Sequence, residues 1–149
     1  MKVEIHKGKL IGIINFMSEL ELNRKQSRMR RQLIKILERK NKAYLDDREE
    51  ILKEHADKDE NGDPIVNNNQ YKVANQTALA EDINELSEEV VVIEGGDNRE
   101  MNRAMKPILK KFEEEEYGGT KSEVYDYLCD QFGVDEDLEE IKNVEENAE

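Results

Sequence analysis

The stretch from Asp57 to Asn68, "DKDENGDPIVNN", begins as a calcium-binding loop begins. Asp57, Asp59 and Asn61 stand where such a loop places its first three oxygen ligands, and Gly62 stands where it turns sharply. The pattern then departs. The last loop position, where a bidentate Glu completes the cation's shell, is Asn68, and the usual apolar position is Pro64. Calcium takes about six to eight oxygens, and the strongest donor is missing. The residues fit a polar turn better than a cation cage.

Other chemistry-bearing residues are sparse. The only histidines are His6 and His55, and they do not form a pair at metal-ligand spacing. The run His55-x-Asp57-x-Asp59 lacks the three or four nitrogen and sulfur ligands typical of zinc. Cys129, in "YDYLCDQF", lies between core-type positions and reads as a small packed residue. As the one cysteine it excludes an internal disulfide framework. "VVVIEGGDNREMNR" has the strand, glycine turn and helix layout of a phosphate cradle. It lacks the Gly-x-Gly-x-x-Gly spacing, and Glu94 and Asp97 put negative charge where a phosphate would sit. Asp97 followed by Glu100 is the spacing of a helix capping box instead. No nucleophile–base pair or metal set emerges, so we expect no enzyme activity and no cofactor.

What does stand out is charge. The chain of 149 residues carries a net charge of −13, yet residues 23–42 hold nine Lys or Arg against one acid, Glu38. Residues 1–55 hold 14 basic and 9 acidic side chains, and residues 56–149 hold 9 and 27. At helical steps, Arg24, Arg28, Arg31, Lys35, Arg39 and Lys42 fall on one side of a helix, at spacings of three and four. Met29, Leu33, Ile36, Leu37, Tyr44 and Ile51 fall on the other, widened by Ile34, Leu45 and Leu52. The positive charge is therefore a stripe that points away from a core. A solvated face, a phosphate-tracking face and a face for an acidic protein all fit such a stripe. The net charge and the absence of interleaved aromatics oppose nucleic acid.

The elements that carry these residues follow from the same patterns. "KVEIH" alternates and predicts a strand over 2–6. A helix is expected from about Lys9 to Leu22, Asn23 offers a break or a cap, and a long helical pattern free of Gly and Pro follows to about His55. Asn61-Gly62 and Pro64 break it, and a small hairpin is expected near 64–73. A helix over about 76–89 precedes "VVVI" at 90–93, which reads as a buried strand able to pair with 2–6. Two more helices follow, one containing Pro107 and one starting at Thr120, where Thr120 and Glu123 repeat the capping spacing, and Gly133 stops the last. The expected fold is α+β and mostly α, one domain over 1–133 with an acidic tail over 134–149. Apolar residues are 36% and charged residues 40%, which favours thin elements with much solvated surface. "LIGIINFM" is too short for a membrane span and reads as no signal peptide. The apolar side of so long a helix also suggests self-association.

"INFMSELELNRKQSRMRRQLIKILERKNK", "DENGDPIV", "VVVIEGGDNREMNRAMKPILKK" and "VYDYLCDQF", in that order, resemble a family of small uncharacterised proteins of tailed phages and prophages of Gram-positive bacteria. The resemblance covers about residues 1–132. It implies the cytoplasm of an infected bacterium and supplies no activity, cofactor or site. The expected function is that of a non-enzymatic phage accessory protein working through protein–protein contacts, as a virion or tail-module accessory or a modulator of a host protein. The expected partner is an acidic protein surface or a second copy, with no nucleic acid and no membrane. The alternative is an acidic inhibitor of a host nucleic-acid enzyme, its carboxylates imitating a phosphate backbone. If the chain lacks a catalytic constellation, replacing His6, His55 or Cys129 abolishes no turnover of a phosphoester or peptide substrate. A hydrolysis assay that shows turnover, lost on one of these changes in a folded protein, contradicts it.

Overall fold

The computed structural model describes residues 2–135, and the fold is α+β and mostly α. Strand β1 spans Lys2–His6 and buries Val3 and Ile5, the apolar half of its alternation. A 3-10 turn over Lys7–Lys9 follows. A Cβ at Gly8 would lie 2.9 Å from Ser87 Cβ, so this turn approaches its neighbour as closely as it does only because residue 8 has no side chain. Helix α1, Leu10–Ser18, buries Leu10, Ile13, Ile14, Phe16 and Met17. It stops four residues before the expected Leu22. Its end is received by Arg30, whose guanidinium donates to Met17 O at 3.2 Å and to Leu20 O. Carbonyls that lose their helical partners at a C-terminus are thereby satisfied by a cation, which the helix dipole also favours.

Helix α2, Arg24–His55, has the expected bounds, and Asn23 Oδ1 accepts from Gln26 N at 2.9 Å as its cap. It packs against α1 and two later helices, α3 (Gln76–Glu88) and α4 (Asn98–Lys110). Leu33 and Leu37 are fully buried, and Met29, Ile34 and Ile36 lean on the same core. Tyr44, Ile51 and Leu52 are half-buried, and Leu45 is 49% exposed. Cover for the apolar side is therefore supplied largely within the chain, with Leu45 the exception.

Beyond His55 the chain turns out into an extended Ala56. β2 (Val66–Asn67) and β3 (Gln70–Tyr71) form the small hairpin. Asn68 and Asn69 join them with φ of 52° and 65°, the left-handed pair that a two-residue hairpin turn requires. Asn75 Oδ1 caps α3 through Ala78 N at 3.1 Å. Strand β4, Val90–Glu94, pairs antiparallel with β1, Val3 opposite Ile93 and Ile5 opposite Val91. The continuous run "VVVI" predicts burial on both faces. The sheet has two strands and only one face covered, so Val91 and Ile93 are buried while Val90 and Val92 remain 41% and 44% exposed.

Neither expected capping box forms. Asp97 has helical angles and makes no side-chain cap bond. Gly95 and Gly96, both at positive φ, offer their carbonyls to Asn98 N and Arg99 N, so backbone turns start α4 instead. Likewise α5, Thr120–Gln131, begins after Gly119 rather than on a Thr120 cap. Its end behaves as expected. Gly133 N bonds Asp130 O and Val134 N bonds Cys129 O around a left-handed Gly133, the paired bonds of a Schellman motif. Val134 is buried, so the domain continues past the expected boundary at 133. The rest of the expected tail, 136–149, lies outside the described residues.

One core unites both sheet strands with α1, α2, α4 and α5. Asn102 of α4 is fully buried in it, its Nδ2 donating to Ile93 O at 3.1 Å. From this distribution, Leu37→Ala should cost about 2–5 kcal/mol by urea unfolding. Leu45→Ala should stay within about 0.5 kcal/mol. Equal losses at the two positions would show that Leu45 is covered in solution.

Candidate interaction surface

The six stripe residues, Arg24, Arg28, Arg31, Lys35, Arg39 and Lys42, are all exposed. None of them has an ion pair or hydrogen bond among the described residues, whereas Lys2, Lys7, Lys53 and Lys121 each pair with a carboxylate. Arg30, from the same basic block, is withdrawn from the stripe because it holds the end of α1. The first turn of α2 contains no acid. A helix N-terminus favours negative side chains by about 0.3–1 kcal/mol each, so Arg24 and Lys25 stand where stability alone would not put them.

The structure adds a second basic helix that sequence reasoning missed. Residues 98–111 carry Arg99, Arg103, Lys106, Lys110 and Lys111 against one acid, Glu100. The signal was present in the spacing of Arg99, Arg103, Lys106 and Lys110, at four, three and four. The 27 acids against 9 bases over residues 56–149 conceal it. Helix α4 lies antiparallel to the start of α2. Gln32 Nε2 reaches Asp97 O at 3.4 Å near one end, and Lys111 Nζ donates to Gln26 Oε1 at 2.9 Å near the other. Between the two helices is a cleft of about 420 Å³. Met29, Ala104 and Pro107 give it apolar walls, Lys25 and Arg103 are cationic, and Glu100 is the one acid on its lining.

The opposite end of α2 has the opposite sign. Asp46, Asp47, Glu49, Glu50 and Glu54 outnumber Arg48 and Lys53, and the neighbouring α3 carries Glu81, Asp82, Glu85 and Glu88 with no Lys or Arg. Tyr71 of the hairpin donates to Glu49 Oε1 at 2.6 Å. That bond to a carboxylate, with smaller contributions from burial and the charges of Glu49 and Glu50, holds its phenol above the usual range.

The remaining candidate residues are occupied locally. One carboxylate oxygen of Asp59 accepts from Asn61 N at 2.9 Å and Asp63 N at 3.0 Å, forming a side-chain-mimicked turn. Asp57 Oδ1 accepts from Ala74 N at 3.4 Å. The loop thus closes on itself, with Lys58 bridging Pro64. His6 Nδ1 lies 2.7 Å from Glu88 O, and its backbone N donates to Tyr127 OH at 2.9 Å. His55 Nε2 contacts Asp82 Oδ2. Among the described residues no three His, Cys, Asp or Glu side chains gather as metal ligands would, and no helix is long and apolar enough to cross a membrane.

No family model, curated protein or solved structure matches the chain.

Cys129 is half-buried. Burial is the main cause that pushes its thiol pKa up, with Asp135, Asp126 and Asp130 adding to it and the bond with Tyr125 opposing. Its thiolate fraction at neutral pH is correspondingly small. Cys129 should therefore react with a disulfide reagent at pH 7 at least about tenfold more slowly in the native chain than in the urea-unfolded chain. Equal rates would mean that the α5 face carrying it is open.

Proposed function

We propose that the protein is a non-enzymatic accessory protein that works by protein–protein contact, with the outer face of α2 as its binding surface for a carboxylate-rich partner. The observation that carries this reading is a row of six exposed cations with no ion pair or hydrogen bond among the described residues. From Arg24 to Lys42 the row extends about 27 Å at 1.5 Å per residue. Each exposed pair contributes only about 0–1 kcal/mol, so a partner must engage several together. A folded acidic surface or a second copy of this chain does so, whereas a small anion meets one or two. The phage setting implied by the resemblance gives such a protein two roles, an accessory of the virion or tail module, or a modulator of a host protein.

A phosphate-tracking role is the weaker reading. The stripe lacks aromatic side chains on which bases stack, and the chain as a whole repels a polyanion. The acidic end formed by α2 and α3 favours a second reading, in which carboxylates imitate a phosphate backbone to inhibit a host nucleic-acid enzyme. The two readings use opposite ends of α2 and are separable by mutation. Replacing Arg28, Arg31 and Lys35 with Glu should remove proteins that the wild type retains from infected-cell lysate near physiological salt. Neither the wild type nor a chain lacking residues 136–149 should hold duplex DNA or RNA under those conditions. If the shortened chain binds nucleic acid tightly and salt-sensitively, and charge reversal removes it, the surface is a masked phosphate site. If charge reversal leaves capture intact while reversal of Glu81, Asp82 and Glu85 abolishes it, the acidic end is the working one.

A further inference from the structure

A second cleft, of about 650 Å³, opens between the far half of α2, α3 and the turn that joins β1 to α1. Small-molecule sites occupy about 300–1,000 Å³, so its size suits an organic ligand rather than a bare ion. Tyr44 and Arg48 stand one helical turn apart on α2 and line one wall. Ile83, Asn84, Ser87 and Glu88 share a face of α3 and line the second. His6, Gly8 and Lys9 line the third. Gly8 brings this turn against Ser87, a contact that a side chain at residue 8 would block.

The cleft holds cations that the acids of this end do not neutralise. Arg48 stands among Asp46, Asp47, Glu49 and Glu50 in sequence, yet its helical neighbours at three and four are Tyr44, Leu45, Ile51 and Leu52. It makes no ion pair or hydrogen bond among the described residues. The Tyr44 phenol and the Asn84 side-chain amide make none either. Lys9 Nζ lies 5.7 Å from the centroid of the Tyr127 ring, and that ring lies 6.4 Å from the ring of His6. An aromatic face, and no carboxylate, holds this second cation beside the cleft. Other polar groups are committed: Ser87 Oγ donates to Asn84 O at 2.8 Å, and His6 Nδ1 faces Glu88 O.

These features select the ligand's charge and shape. Lys9 and Arg48 against Glu88 leave one positive charge on the lining to be balanced. Glu81, Asp82 and Glu85 on the same helix α3 raise the cost of a second negative charge. A guanidinium donates two parallel bonds to a planar carboxylate. The half-buried Tyr44 and Ile83 offer the apolar surface on which a ring packs. We propose that this cleft binds a small aromatic monocarboxylate, its carboxylate on Arg48 and Lys9 and its ring against Tyr44 and Ile83. The site uses neither the stripe nor the α2–α4 cleft, so it stands apart from the protein-binding reading.

The test is a titration of the ¹⁵N-labelled full-length chain with 2-naphthoate, followed at the backbone amides of Gly8, Asn84 and Ser87. Their shifts should saturate. 2-Naphthamide, which keeps the ring and loses the charge, and acetate, which keeps the charge and loses the ring, should each bind at least about tenfold more weakly. 2-Naphthyl phosphate, with nearly two charges, should also bind more weakly than the carboxylate. Lys9→Gln with Arg48→Gln should weaken naphthoate binding by about tenfold or more. Arg28→Gln with Arg31→Gln should leave it unchanged. All four side chains are exposed, and unshifted amides of the core residues Leu33 and Ile93 show that each variant keeps its fold. The proposal is overturned by shifts that do not saturate, by naphthamide binding as well as naphthoate, or by tighter binding of the phosphate. Affinity that survives the Lys9 and Arg48 changes, or that falls with the stripe changes, overturns it equally.

Discussion

Helix α2 needs cover along one side, and the rest of the chain is laid out to supply it. Thirty-two residues make a rod about 48 Å long, and an isolated helix gains most of its stability in a protein from packing rather than from propensity. α1 and α4 cover the first half, where Leu33 and Leu37 are sealed. α3 lies along α2 as well, and Leu52 of α2 shares a cleft with Leu79 of α3 and the hairpin residues Val66 and Tyr71. The β1–β4 pair then ties the start of the chain to residues 90–94 and closes the core over α1 and α4. Arg30 connects the two kinds of role. It belongs to the basic block by sequence, and by structure it fixes the turn that lets α1 fold back on α2.

Because one side of α2 is committed to packing, its charges are confined to the other, and their order along the rod is not the order that stability favours. Cations crowd the positive end of the helix dipole and receive no carboxylates among the described residues. α4 brings Arg99 and Arg103 alongside, and α3 brings acids alongside the far half. Two basic elements are neighbours, and two acidic elements are neighbours. Random surface charge mixes signs and lowers repulsion, whereas this arrangement keeps like charges together and creates a field directed along the long axis. Salt screens that repulsion, and a bound surface of opposite sign would offset more of it.

Much of this was legible in the sequence. The bounds of α2, the Asn23 cap, the outward stripe, the pairing of residues 2–6 with 90–93 and the stop at Gly133 each rest on local chemistry or a simple period. What was not legible depends on neighbours. Whether "VVVI" is buried on one face or two depends on how many layers cover the sheet. Whether Asp97 or the Gly95 and Gly96 carbonyls start α4 depends on how the chain leaves β4. The α2–α4 cleft joins residues about 75 positions apart, from Met29 to Ala104, and no period in either segment predicts that they meet. The basic spacing within α4 was readable, but the acidic average of the surrounding residues concealed it.

The distribution of polar work across the molecule points the same way as the charge. Catalysis requires a titratable group freed from structural duty and held against a reacting atom. Here Asp59 orders its own turn, Asp57 meets a backbone amide, His6 faces the carbonyl that ends α3, and Cys129 sits half-buried with its pKa raised. The six stripe cations have no partner among the described residues and stand on the outside of a rigid rod. A rigid row of cations cannot do bond chemistry, but it presents fixed spacing without the entropy of ordering a loop, and fixed spacing is what lets several weak ion pairs form at once.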